Sequence, residues 1–119
     1  MTLKQAAQKF TIAGLDKSAL VNQDEAFQRC LTFLDGIEKI RTLNRSGDSL
    51  KHMVENPSGH FGVPSSQDFY TGYVYEGTFI LAALASGFRA QPIVPGSLKS
   101  WFNISQRGIR RRVMELTKR

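Results

Sequence analysis

Hydrophobic residues recur every three or four positions in two parts of the N-terminal half, which is the spacing of one face of an α-helix. The first part predicts a helix over residues 2–13, which Gly14 would end. In the second part Asn22 and Glu25 have the spacing of a capping box, and the apolar positions continue to about Leu43. The pattern therefore predicts a short and then a long amphipathic helix.

The rest of the chain predicts three more helices. A short one covers residues 50–55. Apolar residues fill almost every position from 79 to 85, so the helix that begins near Glu76 should be buried on most sides. Ser105 is a typical N-cap for a last helix that runs to about Lys118.

Short β-strands are predicted where aromatic and β-branched residues replace the helical spacing. Residues 70–75, 89–94 and 101–104 have this character. The last two flank a Pro-Gly turn and predict a hairpin or wing, with Pro92 at an edge because proline donates no backbone hydrogen bond. The elements predict an α+β fold, a small helix-rich single domain over residues 1–119 with a short two- or three-stranded antiparallel sheet or wing.

Length and composition agree with one domain. Of the 119 residues 41% are hydrophobic, enough for a core without disulfides. The single cysteine, Cys30, cannot form a disulfide within the chain, which favours a reducing compartment. The first ten residues lack the apolar stretch of a secretion signal, and the run over residues 79–85 is too short to span a bilayer. We therefore expect a cytoplasmic protein with no membrane partner.

Positive charge is concentrated near the C-terminus. The formal net charge is +6. Residues 1–77 contain eight basic and nine acidic side chains, whereas residues 78–119 contain eight basic side chains and one acidic one, Glu115. Charge that is concentrated on one part of a small domain attracts polyanions, nucleic acid among them.

The last predicted helix is the strongest candidate for a binding surface. On a helical wheel Arg107, Arg111 and Lys118 share one face, and Ile109, Val113 and Leu116 lie on the other. Arginine suits bidentate contact with phosphate or guanine. We therefore predict non-enzymatic binding of nucleic acid, with DNA favoured, or of a nucleoprotein complex. The predicted contact residues are Gln106, Arg107, Arg110, Arg111 and Lys118 on the helix, assisted by Arg89 and Lys99 on the hairpin.

Alternative interpretations stay open. The basic helix also fits a protein-binding inhibitor or adaptor, of the anti-defence or anti-CRISPR kind, that docks on an acidic or nucleoprotein partner. It also fits a solvated helix whose arginines pair with the chain's own carboxylates. A helix-turn-helix or winged variant is compatible, although the connection from Gly87 to Ser105 is much longer than the usual turn. Trp101 and Phe102 can stack on bases, but burial in the core is the favoured prediction for both.

Catalytic and metal chemistry finds little support in the sequence. His52 and Glu55 have the spacing of a ligand pair on a helix, but a metal site needs three or four convergent ligands. Cys30 lies in the apolar stripe of the second helix and is expected to be an inert core residue. We predict no catalytic residue, no metal and no cofactor, and we expect functional contacts on the basic helix and on the irregular segment 58–68. Base preference and oligomeric state stay open.

Two stretches of the chain carry short motifs. One reads SLKH from Ser49; the other reads YVYEGTFILAA from Tyr73, followed by GF at Gly87 and FNIS at Phe102. In these motifs the chain resembles small proteins of bacterial mobile genetic elements such as phages, plasmids and integrated islands. Those proteins carry YVSNGA, a hydrophobic residue and IAAA, then GF and FNIS, so the dipeptide YE stands here where SN is usual. The resemblance covers about half the chain, residues 49–105, and implies a shared fold and a mobile-element setting but no particular activity.

Overall fold

The structure, a computed structural model, describes residues 1–43, 45–55 and 72–117. The described elements follow one another as α1 (Leu3–Lys9), a 3₁₀ helix (Lys17–Leu20), α2 (Asp24–Leu34), β1 (Arg45–Ser46), α3 (Gly47–Glu55), α4 (Glu76–Ala85), β2 (Ala90–Pro92), β3 (Ser100–Phe102) and α5 (Gln106–Thr117). The predicted α+β class is confirmed, with helices predominating and one short antiparallel sheet of three strands among the described residues.

Helix α4 is the centre of the core. Its residues from Gly77 to Ala83 are all buried, and α1, α2, α3 and β2 pack around it. The ring of Phe79 meets that of Phe102 edge to face, with 5.5 Å between the ring centroids, and so joins the helix to the sheet. The prediction of a helix buried on most sides is confirmed.

Helix α2 ends at Leu34 and does not continue to Leu43 as predicted. Gly36 follows with φ +77°, a left-handed conformation that a right-handed helix cannot contain. The chain then runs extended and Lys39 pairs with Ile104 beside the sheet. Ile37 is nevertheless buried. The helical spacing of apolar residues therefore continues past the end of α2, although the chain there is no longer helical.

The predicted capping box at the start of α2 is wrong. Asn22 adopts φ +65° and Gln23 is the N-cap, without a side-chain hydrogen bond to the helix. The Gln23 carboxamide oxygen instead accepts hydrogen bonds from the Tyr75 backbone N–H at 2.8 Å and from the Thr78 hydroxyl at 2.9 Å. This buried amide ties the beginning of α2 to the beginning of α4.

The same contacts explain why residues 72–75 form no strand, contrary to the prediction for 70–75, of which the first two positions lie outside the described residues. The backbone N–H of Val74 donates to the Glu55 carboxylate at 2.7 Å, and that of Tyr75 donates to Gln23. Side chains thus satisfy the backbone donors that a neighbouring strand would otherwise take.

Two helix boundaries also differ from the predicted ones. Helix α1 begins at Leu3, one residue after its predicted start, because Thr2 is the N-cap, and it ends at Lys9, several residues before Gly14. Helix α3 begins at Gly47 and not at Leu50. Among the described residues, none of the helices is both long and apolar enough to cross a lipid bilayer.

The sheet places β3 between β1 and β2. Gln91 of β2 pairs with Trp101 of β3, and Pro92 on the edge strand pairs with Ser100, so the hairpin and the edge position of the proline are confirmed. Successive side chains of a strand point to opposite faces. Phe102 accordingly lies in the core, while Trp101 is 39% exposed, which makes the prediction of a buried Trp101 wrong.

Candidate nucleic-acid interface

Helix α5 presents arginines to solvent because its other face is sealed into the core. The Ser105 hydroxyl accepts a hydrogen bond from the Gly108 backbone N–H at 3.1 Å and caps the helix, as predicted. Ile109 and Val113 are fully buried. Arg107 lies on the opposite side and is exposed.

A close approach at Gly108 fixes where the helix sits. A Cβ atom at this position would lie 2.8 Å from a carboxylate oxygen of Glu38 and 2.9 Å from a methyl group of Ile37. The missing side chain thus allows α5 to pack directly against the extended segment that follows α2. As a result Arg111, one turn further along, forms an ion pair with Glu38 at 3.0 Å.

The remaining cations of α5 have different surroundings. Arg112 is half-buried, donates a hydrogen bond to the backbone carbonyl of Asp35 and lies 3.8 Å from a carboxylate oxygen of Glu115. Arg110 is exposed on the flank of the helix, and Gln106 is exposed at its first turn. Lys118 lies outside the described residues.

Arg89 lies beside the end of β3. Its backbone N–H donates to the Asn103 side-chain oxygen at 2.6 Å, and its guanidinium donates to the backbone carbonyl of Arg41. Asn103 in turn donates to the carbonyl of Ile40 at 3.1 Å. The backbone of the segment before β1 therefore holds the Arg89 side chain in place.

The solvent-facing side of the hairpin carries a second group of predicted contact residues. Trp101 and its partner Gln91 are exposed, as are Lys99 and Ile93 at the neighbouring paired positions. Ile93 donates its backbone N–H to the Lys99 carbonyl at 2.9 Å, which continues the ladder. These side chains and that of Arg89 form what we call the outer sheet face: Arg89, Gln91, Ile93, Lys99 and Trp101.

The segment before β1 supplies cations that the sequence interpretation missed. Lys39 places its ammonium 4.7 Å from the centroid of the Phe88 ring, and Arg41 is exposed beside Arg89. Both lie within residues 1–77, where basic and acidic side chains nearly balance, so composition gave no reason to single them out. The structure brings them between α5 and the outer sheet face.

His52 and Glu55 belong to a structural cluster. The buried Glu55 carboxylate accepts the Val74 N–H and lies 2.8 Å from Nδ1 of His52 and 3.5 Å from Nζ of Lys51. It joins α3 to the chain entering α4. Within residues 1–43, 45–55 and 72–117, no group of three or more histidine, cysteine or acidic side chains is placed to hold a metal.

Cys30 is fully buried in α2, and burial raises the pKa of its thiol to about 12.

The segment 58–68, a predicted contact region, lies outside the described residues. No protein-family model, curated protein or solved structure matches the chain. The function proposed below therefore rests on the geometry just described.

Proposed function

We propose that the chain is a non-enzymatic nucleic-acid-binding accessory protein of a mobile genetic element, acting in the cytoplasm on DNA or a nucleoprotein complex. The observation that carries the proposal is the position of Arg107. Its guanidinium projects from the exposed face of α5 and makes no hydrogen bond or ion pair with the described residues. A planar fork of donors available to solvent is suited to a phosphate.

The charges around Arg107 support the same ligand. The segment 35–41, Arg89 and α5 together hold seven cations and three carboxylates among the described residues. One of the carboxylates, Glu38, partly neutralises Arg111. Glu38 therefore interrupts a surface that is otherwise positive. A polyanion can contact the cations on both sides of Glu38.

The proposal is tested by titrating fluorescently labelled duplex and single-stranded oligonucleotides and following anisotropy at two salt concentrations. Affinity should fall steeply with salt because each contacted phosphate releases a counterion. The variant Arg107→Gln should bind about threefold to fivefold more weakly, since one exposed charged contact is worth up to about 1 kcal/mol.

Lys4→Gln is the matched control, because Lys4 is an exposed cation on α1, an element that holds none of the proposed contact residues. It removes the same charge and should leave affinity nearly unchanged. Equal losses in the two variants would mean that only net charge matters. Absence of binding to both oligonucleotides at low salt would reject the proposed function.

A second candidate function is docking on an acidic protein surface. Exposed apolar side chains favour it, since Met114 is 52% and Leu116 is 41% exposed on the same helix as the arginines. Apolar and arginine side chains together are typical of protein interfaces. Retention of a host protein on the immobilised chain that excess DNA does not displace would support this candidate.

A further inference from the structure

We propose that the outer sheet face is a stacking platform for unpaired nucleobases, with Trp101 as the stacking ring. The inference rests on the proposed function and deepens it, because it makes single-stranded nucleic acid the preferred ligand. Two features of the sheet carry it: the exposure of one large aromatic ring, and the cations that bracket this ring along β3.

Trp101 occupies the middle of the sheet, with Gln91 of β2 opposite it on one side and Ser46 of β1 on the other. A tryptophan on a central strand is ordinarily covered by another layer of the protein. Here 39% of the residue stays exposed, and Ile93, also 39% exposed, extends the apolar surface beside it. Trp101 thus offers exposed surface on which a flat ring can pack.

Cations lie on both sides of this ring. Lys99 precedes Trp101 by two residues on the same face and is exposed, about 7 Å away along the strand. In the other direction Arg89 lies against Asn103, which follows Trp101 by two residues, again about 7 Å along the strand, and its guanidinium donates to the Arg41 carbonyl. None of the five residues that define the outer sheet face is acidic. A strand laid across it can place a base on the indole and phosphates next to the two cations.

Duplex nucleic acid does not fit this arrangement as well. Its bases are already stacked on one another and present only their edges, whereas unpaired bases offer the flat face that an aromatic side chain covers. Stacking of this kind tolerates any base, because every base has such a face. The outer sheet face therefore predicts a preference for single strands with little sequence selectivity.

Trp101 is the only tryptophan of the chain, so intrinsic fluorescence of the intact protein reports on this position alone. The experiment compares an oligodeoxythymidylate of about 12 nucleotides with an abasic oligonucleotide of the same length and charge. Both are followed by anisotropy of an end label and by tryptophan emission. We expect the base-bearing strand to bind about tenfold more tightly and to quench the emission, and the abasic strand to leave it unchanged.

The variants Trp101→Leu and Trp101→Phe complete the design. Trp101 is exposed, so both variants should fold, and circular dichroism checks this. Trp101→Leu should bind the base-bearing and the abasic strand with equal affinity. Trp101→Phe should again bind the base-bearing strand more tightly, but by less than the wild type. If the thymidylate binds without quenching, or if Trp101→Leu keeps the advantage, stacking is rejected while nucleic-acid binding stands. If duplex binds as tightly as the single strand, the preference is rejected. If no oligonucleotide binds at low salt, the proposed function fails and this inference with it.

Discussion

The guanidinium of Arg111 donates a hydrogen bond at 3.0 Å to the carboxylate of Glu38, which lies 73 positions earlier in the chain. Both side chains are more than half exposed, so the pair contributes little to stability. Its effect is on the charge of the surface, because it neutralises one arginine in the middle of the row on α5. Glu38 therefore opposes the binding of a polyanion.

The variant Glu38→Gln should bind oligonucleotides about threefold more tightly at low salt, since it releases Arg111 and removes a negative charge. Anisotropy titration measures the change. Glu25→Gln is the control, because Glu25 is an exposed carboxylate on the first turn of α2. An equal gain in both variants would contradict a specific role for the pair.

The contribution of Glu38 to stability should depend on pH. A backbone hydrogen bond at Glu38 and the neighbouring Arg111 guanidinium hold the pKa of its carboxyl below the ordinary value of 4.5. A lowered folded-state pKa stabilises the protein above the unfolded value, and this stabilisation is lost as the pH falls through the folded value. Urea unfolding of wild type and Glu38→Gln should differ by a constant amount above about pH 5 and converge in more acidic solution. A difference that stays constant with pH would contradict this.

Cys30 should not react with thiol reagents while the protein is folded. Burial raises the pKa of the thiol to about 12, so at pH 8 only about one thiol in ten thousand is ionised, and no part of the side chain is open to solvent. Labelling with a chromogenic disulfide should be negligible in buffer and stoichiometric in concentrated denaturant. Rapid labelling of the native protein would show that α2 opens easily.

Replacement of Glu55 should destabilise the fold far more than replacement of its neighbour His52. The buried carboxylate accepts the Val74 N–H at 2.7 Å and pairs with the buried Lys51, so Glu55→Ala leaves buried polar groups without their partner. We expect a loss of about 3 kcal/mol of unfolding free energy. His52→Ala should cost less than about 1 kcal/mol, because half of this side chain is exposed. Equal losses in denaturant unfolding would contradict the central role of the carboxylate.

Two glycines in left-handed conformations offer a matched pair. Gly14 has φ +78°, and a Cβ there would lie 3.1 Å from the Gly96 carbonyl oxygen. Gly96 has φ +81°, and a Cβ there would meet no atom of the described residues within 4 Å, its chain neighbours aside. Gly96→Ala should cost about 1 kcal/mol, the penalty of the backbone conformation alone. Gly14→Ala should cost more, because the methyl group also meets backbone atoms; similar costs in urea unfolding would contradict this.

Local sequence patterns were sufficient to predict the bounds of the two C-terminal helices. Helix α4 is a continuous apolar run and α5 has its capping serine and two opposed faces, so both were predicted to within a residue or two in the described region. The end of α2 was missed because Ile37, which follows the left-handed Gly36, keeps the apolar spacing of the helix. A buried isoleucine in an extended segment can stand at the same spacing from earlier apolar residues as one on a helix face. The sequence pattern therefore does not distinguish the two.

The candidate interface was only partly predictable for a related reason. The helical wheel correctly separated Arg107 from the buried Ile109 and Val113. It wrongly placed Leu116, which is 41% exposed, on the buried side. It could not reveal Glu38, which reaches Arg111 only through tertiary packing. Nor could composition decide which of two adjacent aromatic residues faces inward, because a one-residue shift in strand register exchanges the faces.

The order of the strands has a consequence for synthesis of the chain. Within the part of the chain that the structure describes, β1 and β2 are the edge strands, and each pairs with β3, which follows them in sequence. During translation β1 and β2 are therefore complete before the strand that joins them leaves the ribosome. A nascent chain that stalls before position 100 lacks β3, so the sheet cannot form. Its Phe79 also lacks the Phe102 ring that packs against it in the finished protein.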